Sequence, residues 1–290
     1  MLAHLSPVRA AGTFYALAVL LVTVVAVTGG GTSAAMLTPA AATLLMLLVV
    51  TREGRTRRGW ASLGLHRPGL GSWGPAVLVP LAVVAAGALV LLTTGAAAQR
   101  PDELSHIPTF LLPAALVLNI AYAGVTVSLT EEIGWRGYLL PRLSRLGARR
   151  ALVLSGLLHG LWHLPVILLT DLYHPLGNRL VVIPLFLVTL AAAGVFLGWL
   201  RLRSGSIWPS VIAHSAHNVA VAWLGLSVTG NALAAEYLAG DSGAVTAIGY
   251  VAVAAVLLRR PGLPGPAPEV DAPASVRSAP ADLPTRQATR

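Results

Sequence analysis

Leu129-Thr130-Glu131-Glu132-Ile133-Gly134-Trp135-Arg136-Gly137-Tyr138 is the stretch that decides how this chain is read. Two adjacent carboxylates and an arginine four residues on follow directly on the apolar run 110–127. A charge at the end of a membrane span costs about 3 kcal/mol or more unless it faces other protein or water, so such a group signals function. The rest of the chain reads as scaffolding and partners for this pair.

The surroundings establish the membrane reading. Of 290 residues, 56% are hydrophobic and only 11% are charged, with mean hydropathy +0.75. A soluble domain carries about 25% charged residues, and this chain cannot cover itself with a polar surface. It reads as an integral membrane protein. There is no Cys, which excludes disulfides and cysteine-based zinc or redox sites.

Apolar runs of spanning length fall at about 12–29, 34–51, 73–95, 110–128, 151–170, 180–200, 207–228 and 242–258. Lipid offers backbone groups no partner, so the spans are helical and the fold class is all-α, a polytopic bundle of about eight transmembrane helices. The first run could be a cleaved signal peptide; its length and the prompt start of the second favour a retained helix.

The net charge is +9, and every one of the 20 basic residues is arginine. They sit in short segments between apolar runs, a topology signal rather than a nucleic-acid face. With the amino terminus cytoplasmic, all but Arg100 and Arg179 lie inside, as eight spans with both termini cytoplasmic require. The site would then open near the cytoplasmic side, because Glu131 falls at the inner end of the fourth span. Residues 1–260 form the membrane domain with a core at about 110–228, and 261–290 read as a disordered Pro/Ala-rich cytoplasmic tail. Leu140, Leu143 and Leu146, set among arginines at 140–150, suggest a short amphipathic segment at the cytoplasmic interface.

Three polar clusters interrupt the apolar runs. On a helix Glu132 and Arg136 stand one turn apart and can pair, leaving Glu131, offset by about 100°, to act as a base. The second cluster is His159 and His163, sharing a face inside the fifth span. The third is His214, His217 and Asn218 in the seventh. Each histidine set alone reads as hydrogen-bonded packing between helices. Three costly placements on three helices favour one shared site. A carboxylate, imidazoles and an amide supply a general base, a proton shuttle and oxyanion donors for attack of water on a carbonyl. The same set could bind a divalent metal and lower the pKa of its water. Both routes lead to hydrolysis of an amide or ester.

Glu-Glu-x-x-x-Arg at 131–136, His163 followed by Leu-Pro, and His-x-x-x-Asn at 214–218 together resemble the CPBP family, the CAAX-processing and bacteriocin-processing (Abi) intramembrane proteases. The likeness covers about residues 115–225, and Leu63-Gly64-Leu65 resembles a further family segment. The resemblance implies a CAAX-protease-like helical bundle and an intramembrane endopeptidase acting on a membrane-associated peptide or protein in a bacterial cytoplasmic membrane. It implies that Glu131 activates water with His163, that His214 and Asn218 stabilise the oxyanion, and that Glu132 and Arg136 hold the geometry. Two chemistries stay open: a divalent metal such as zinc on Glu131, His163 and His214, or a metal-free glutamate protease. The lack of an HExxH motif counts against a zincin-like site. One position departs from the family: His159 stands where an aromatic is usual, and packing is the expected role. Alternatives are a non-catalytic immunity or scaffold protein of the same fold and, with less support, a proton-coupled transporter.

Overall fold

The computed structural model describes residues 5–99, 107–171, 176–241 and 243–263. All eight apolar runs are helices. Six are long and apolar enough to cross a membrane: α1 (Pro7–Val27), α2 (Thr32–Val50), α3 (Leu70–Thr93), α4 (Thr109–Leu146), α5 (Ala148–Leu169) and α6 (Arg179–Ser204). α7 (Trp208–Ser227) has the length but carries His214, His217 and Asn218, and α8 (Ala244–Arg259) is a 16-residue apolar helix. The chain is an all-α polytopic membrane protein. Its strand content among the described residues is one antiparallel pair, Ala97–Gln99 with Val228–Gly230. The expected tail lies outside the described residues from 264 onward.

The connections gather at two ends. At one, Arg142 pairs with Glu53, Arg201 Nη2 donates to Ser62 O at 2.9 Å, and Arg149 Nε donates to Leu258 O at 2.9 Å. These bonds draw the arginine-rich connections together. At the other end the two short strands pair, and the Asn178 N–H donates to the Tyr237 hydroxyl at 2.6 Å.

α4 runs on for 38 residues, so Glu131 lies well inside the bundle rather than at a helix end. Two wide π-helical turns, Gly124–Ser128 and Ile133–Leu139, flank the short α-helical piece Leu129–Glu132. Such turns recur at functional sites because they displace side chains from α register. The expected amphipathic segment at 140–150 is corrected here. Leu140 and Leu143 are buried, forming the end of α4, and α5 begins at Ala148.

Close contacts hold α4 against α1 and α2. Thr130 Oγ1 donates to Met36 O at 2.9 Å, and a Cβ at Gly134 would come within 2.6 Å of Pro39 Cβ. Pro39 itself withholds an N–H from the α2 ladder, and Thr38 Oγ1 satisfies the freed Ala35 carbonyl at 2.8 Å. Phe14 of α1, fully buried, packs edge-on to Trp135 with ring centroids 5.7 Å apart.

α5 and α6 cross at glycines. A Cβ on Gly156 would meet Ala191 O at 2.5 Å, and one on Gly194 would meet Gly156 Cα at 2.2 Å. One turn along each helix, Gly160 and Gly198 repeat the small-residue spacing that lets membrane helices approach closely. Backbone cannot yield here as a side chain can. Gly156→Leu is therefore expected to lower stability by about 3 kcal/mol or more. Gly225→Ala, where nothing stands within 4 Å of the added Cβ, should leave thermal unfolding in detergent unchanged.

Candidate active site

α4, α5 and α7 bring the three polar clusters together. Glu131 and Glu132, both buried, are held by different partners. Arg136 Nη1 donates to Glu132 Oε1 at 2.8 Å, the pairing the sequence spacing predicts. The same oxygen receives His214 Nδ1 at 3.0 Å. Glu131 Oε2 instead meets His159 Nε2 at 2.8 Å. One carboxylate is thus neutralised by a guanidinium, and its neighbour is held by an imidazole.

His159 does more than fill an aromatic position. Its ring stacks on Trp135, with centroids 5.0 Å apart and 28° between planes, which is the packing role expected. It also bridges the two halves of the charge cluster, because Arg136 Nη1 reaches its Nδ1 at 3.3 Å. A guanidinium can only donate. His159 Nδ1 therefore accepts, and Nε2 carries the proton that it donates to Glu131. His163, one turn on, donates Nδ1–H to His159 O at 3.1 Å, which in the neutral ring makes Nε2 the acceptor nitrogen.

These carboxylate and imidazole groups form the floor of a cleft enclosing about 750 Å³ of open space, its mouth included. Asn218 lines it with an exposed side chain, one turn beyond His214. His217 points to a different wall. Its Nε2 meets Asp241 Oδ1 at 3.2 Å and its Nδ1 meets the Tyr250 hydroxyl at 3.1 Å. The remaining walls are mostly apolar, with Met36, Val127, Phe186 and Leu190 among them. All the residues singled out from the sequence therefore meet around one cavity, except Glu132 and Arg136, which lie beneath it and support it.

The donor set can be tested against a metal. The compact group among the described residues is Glu131, His159 and His163, whose ligand atoms lie within 4.8 Å of one another. His214 is not part of it. His159 cannot serve as a ligand without loss, since one nitrogen accepts from Arg136 and the other spends its proton on Glu131. Glu131 and His163 alone fall one short of the three protein ligands of a zinc site, and a metal held by all three residues would displace the bonds of His159.

Several contributors were not singled out in the sequence. Arg201 had been read as a topology signal only. Its Nε donates to Arg136 O at 3.1 Å, in the wide turn of α4 where carbonyls lose their regular partners. Gly64, at φ +78°, gives the guanidinium room, for a Cβ there would come within 2.7 Å of Arg201 Cζ. This gives Leu63-Gly64-Leu65 a physical role: it clasps the residue that supports the motif turn. Asp241 and Tyr250 carried no recognisable spacing. The glycine pairs at 156/160 and 194/198 did, although glycine is common enough in membrane helices to hide them.

Residues 113–220 match the family of type II CAAX prenyl endopeptidases described as Rce1-like. That segment contains Glu131, Glu132, Arg136, His159, His163, His214 and Asn218, so the region that builds this site is the region similar to the CAAX proteases. A curated relative, the CAAX prenyl protease 2 of Methanococcus maripaludis, is 32% identical over 93 residues, 31% of this chain and 34% of the relative. The chain thus matches about a third of that relative's length.

The two roles of His159 can be separated. His159→Phe keeps a ring against Trp135 and removes the bond to Glu131. Loss of a hydrogen bond to a charged group amounts to about 1.5–3 kcal/mol. Peptide cleavage should fall by about 10- to 100-fold in protein that is still folded at the assay temperature, with a lowered melting temperature because Arg136 loses its contact as well. A variant with full activity would leave His159 as packing alone.

Proposed function

We propose that this protein is an intramembrane endopeptidase that hydrolyses a peptide bond in a membrane-associated peptide or protein, with Glu131 as general base. The observation that carries the reading is the separation of the adjacent carboxylates. Glu132 Oε1 takes both Arg136 and His214, whereas Glu131 faces the cleft with His159 on its Oε2.

The chemistry follows from these positions. A water between Glu131 and His163 gives a proton to the Glu131 carboxylate as its oxygen attacks the scissile carbonyl. His163, which lines the cleft beside Glu131, orients that water by accepting its second hydrogen at Nε2. The carbonyl oxygen becomes an oxyanion, stabilised by donors preorganised where the charge develops. His214 in its imidazolium form can present Nε2–H, because Nδ1–H is fixed on Glu132. The Asn218 amide supplies a second donor. Collapse of the tetrahedral intermediate breaks the C–N bond, and the proton on Glu131 passes to the leaving amine. The products are a carboxylic acid and an amine, which ionise to carboxylate and ammonium, with one water consumed.

A metal-free, glutamate-type reaction is favoured over a metal-dependent one because the proton and lone pair of His159 are both committed to protein groups. A non-catalytic scaffold gains no support, since Glu131, His163, His214 and Asn218 all line one cavity.

Purified protein with a membrane-peptide library tests the reading. Glu131→Gln, which keeps shape and removes the base, should reduce cleavage by about 100-fold or more, the usual worth of a general base. His163→Ala should do the same. Chelator should leave wild-type activity unchanged, and metal analysis should find no stoichiometric zinc. Cleavage that survives both substitutions would refute the assignment, and loss of activity on chelation would refute its metal-free form.

A further inference from the structure

The sequence placed the mouth of the site near the arginine-rich end of the bundle, and the walls of the cleft point the other way. Thr32, which opens α2, and Asp241, in the connection before α8, both line it, and both belong to the arginine-poor end. α6 enters from that end at Arg179 and contributes lining residues from Phe186 down to Leu197. The 11 steps from Phe186 to Leu197 measure about 16 Å along a helix. Towards the arginine-rich end the cavity stops. Among the described residues none from 51–72, 138–150 or 198–207 lines it. There Leu63, Tyr138, Leu139 and Leu140 are buried to within 1% exposure and Arg201 to within 9%, closing the floor.

We propose that substrate reaches Glu131 from the arginine-poor end of the bundle. The substrate class is then a largely apolar peptide segment in the non-cytoplasmic leaflet, such as one left in the membrane after translocation, rather than a chain end presented from the cytosol. The chemistry rests on the endopeptidase reading above, and the sidedness rests on the arginine bias, since arginine-rich connections stay on the cytoplasmic side. The apolar walls suit such a segment. The polar station formed by His217, Asp241 and Tyr250 stands between mouth and floor, where a passing backbone amide could exchange water for protein partners.

The absence of cysteine makes the test direct. Single variants Asn218→Cys in the cleft, Thr56→Cys at the arginine-rich end and Thr94→Cys at the opposite end are treated with a small charged thiol reagent that does not cross membranes. Thr56 and Thr94 are exposed and serve as sidedness markers. In intact spheroplasts Asn218→Cys and Thr94→Cys should react at least tenfold faster than Thr56→Cys, and inverted vesicles should reverse the order. Asn218→Cys reacting together with Thr56→Cys would overturn the proposal. So would its failure to react from either side, or Thr94→Cys reacting only in inverted vesicles. Labelling does not depend on catalysis, so a failed cleavage assay and a failed entry route are told apart.

Discussion

An ionised group inside an apolar bundle has only protein to solvate it, and the pairing of Glu132 Oε1 with Arg136 Nη1 is the interaction on which the site depends. Both are completely buried. Removing one member of such a pair strands its partner, at a cost of about 3–5 kcal/mol. Glu132 therefore draws His214 from α7, while Arg136 draws His159 from α5. Through these bonds one ion pair fixes three helices around a common point. The arrangement leaves Glu131 as the carboxylate whose environment is set by the pair without belonging to it.

Close packing makes this geometry attainable. His159 and His163 lie on a helix that can approach α6 only because Gly156 meets Gly194 backbone to backbone. From the opposite side Pro39 and Phe14 press against Gly134, where any side chain would push α4 away. Arg201 completes the support by taking the carbonyl of Arg136. Its own headgroup rests on a glycine whose left-handed backbone would be strained for any other residue.

Much of this was legible beforehand. The eight apolar runs are all helices, as apolar length predicts, because lipid leaves backbone groups no other partner, and six of them are long and apolar enough to cross a membrane. The pairing of Glu132 with Arg136 followed from helical spacing alone. Boundaries were less legible: the fourth span was ended at 128, since Glu131, Glu132 and Arg136 look like the start of a loop when their partners are invisible. Leu140 and Leu143 looked amphipathic because Arg142 and Arg145 flank them, yet Arg142 is drawn to Glu53, 89 residues away. His159 was expected to pack and does, but its bond to Glu131 depends on the crossing of two helices, which no local pattern encodes. The same holds for Asp241, which reaches His217 from a distant connection.

The wide turns on either side of Glu131 have a consequence for how this segment can vary. A π-helical turn holds one more residue than the α-helical turn it replaces. Losing the extra residue between Ile133 and Leu139 would rewind the turn to α-helix, leave the helix beyond facing as before, and shift the side chains inside the turn, Arg136 among them. Arg136, now paired with Glu132, would lose its position in the turn. Substitutions in this stretch can be judged one side chain at a time, whereas a change in its length re-registers the whole turn that carries the site's arginine. Families that share this site should therefore vary in composition along the segment far more readily than in the count of residues from the paired glutamates to the following helix.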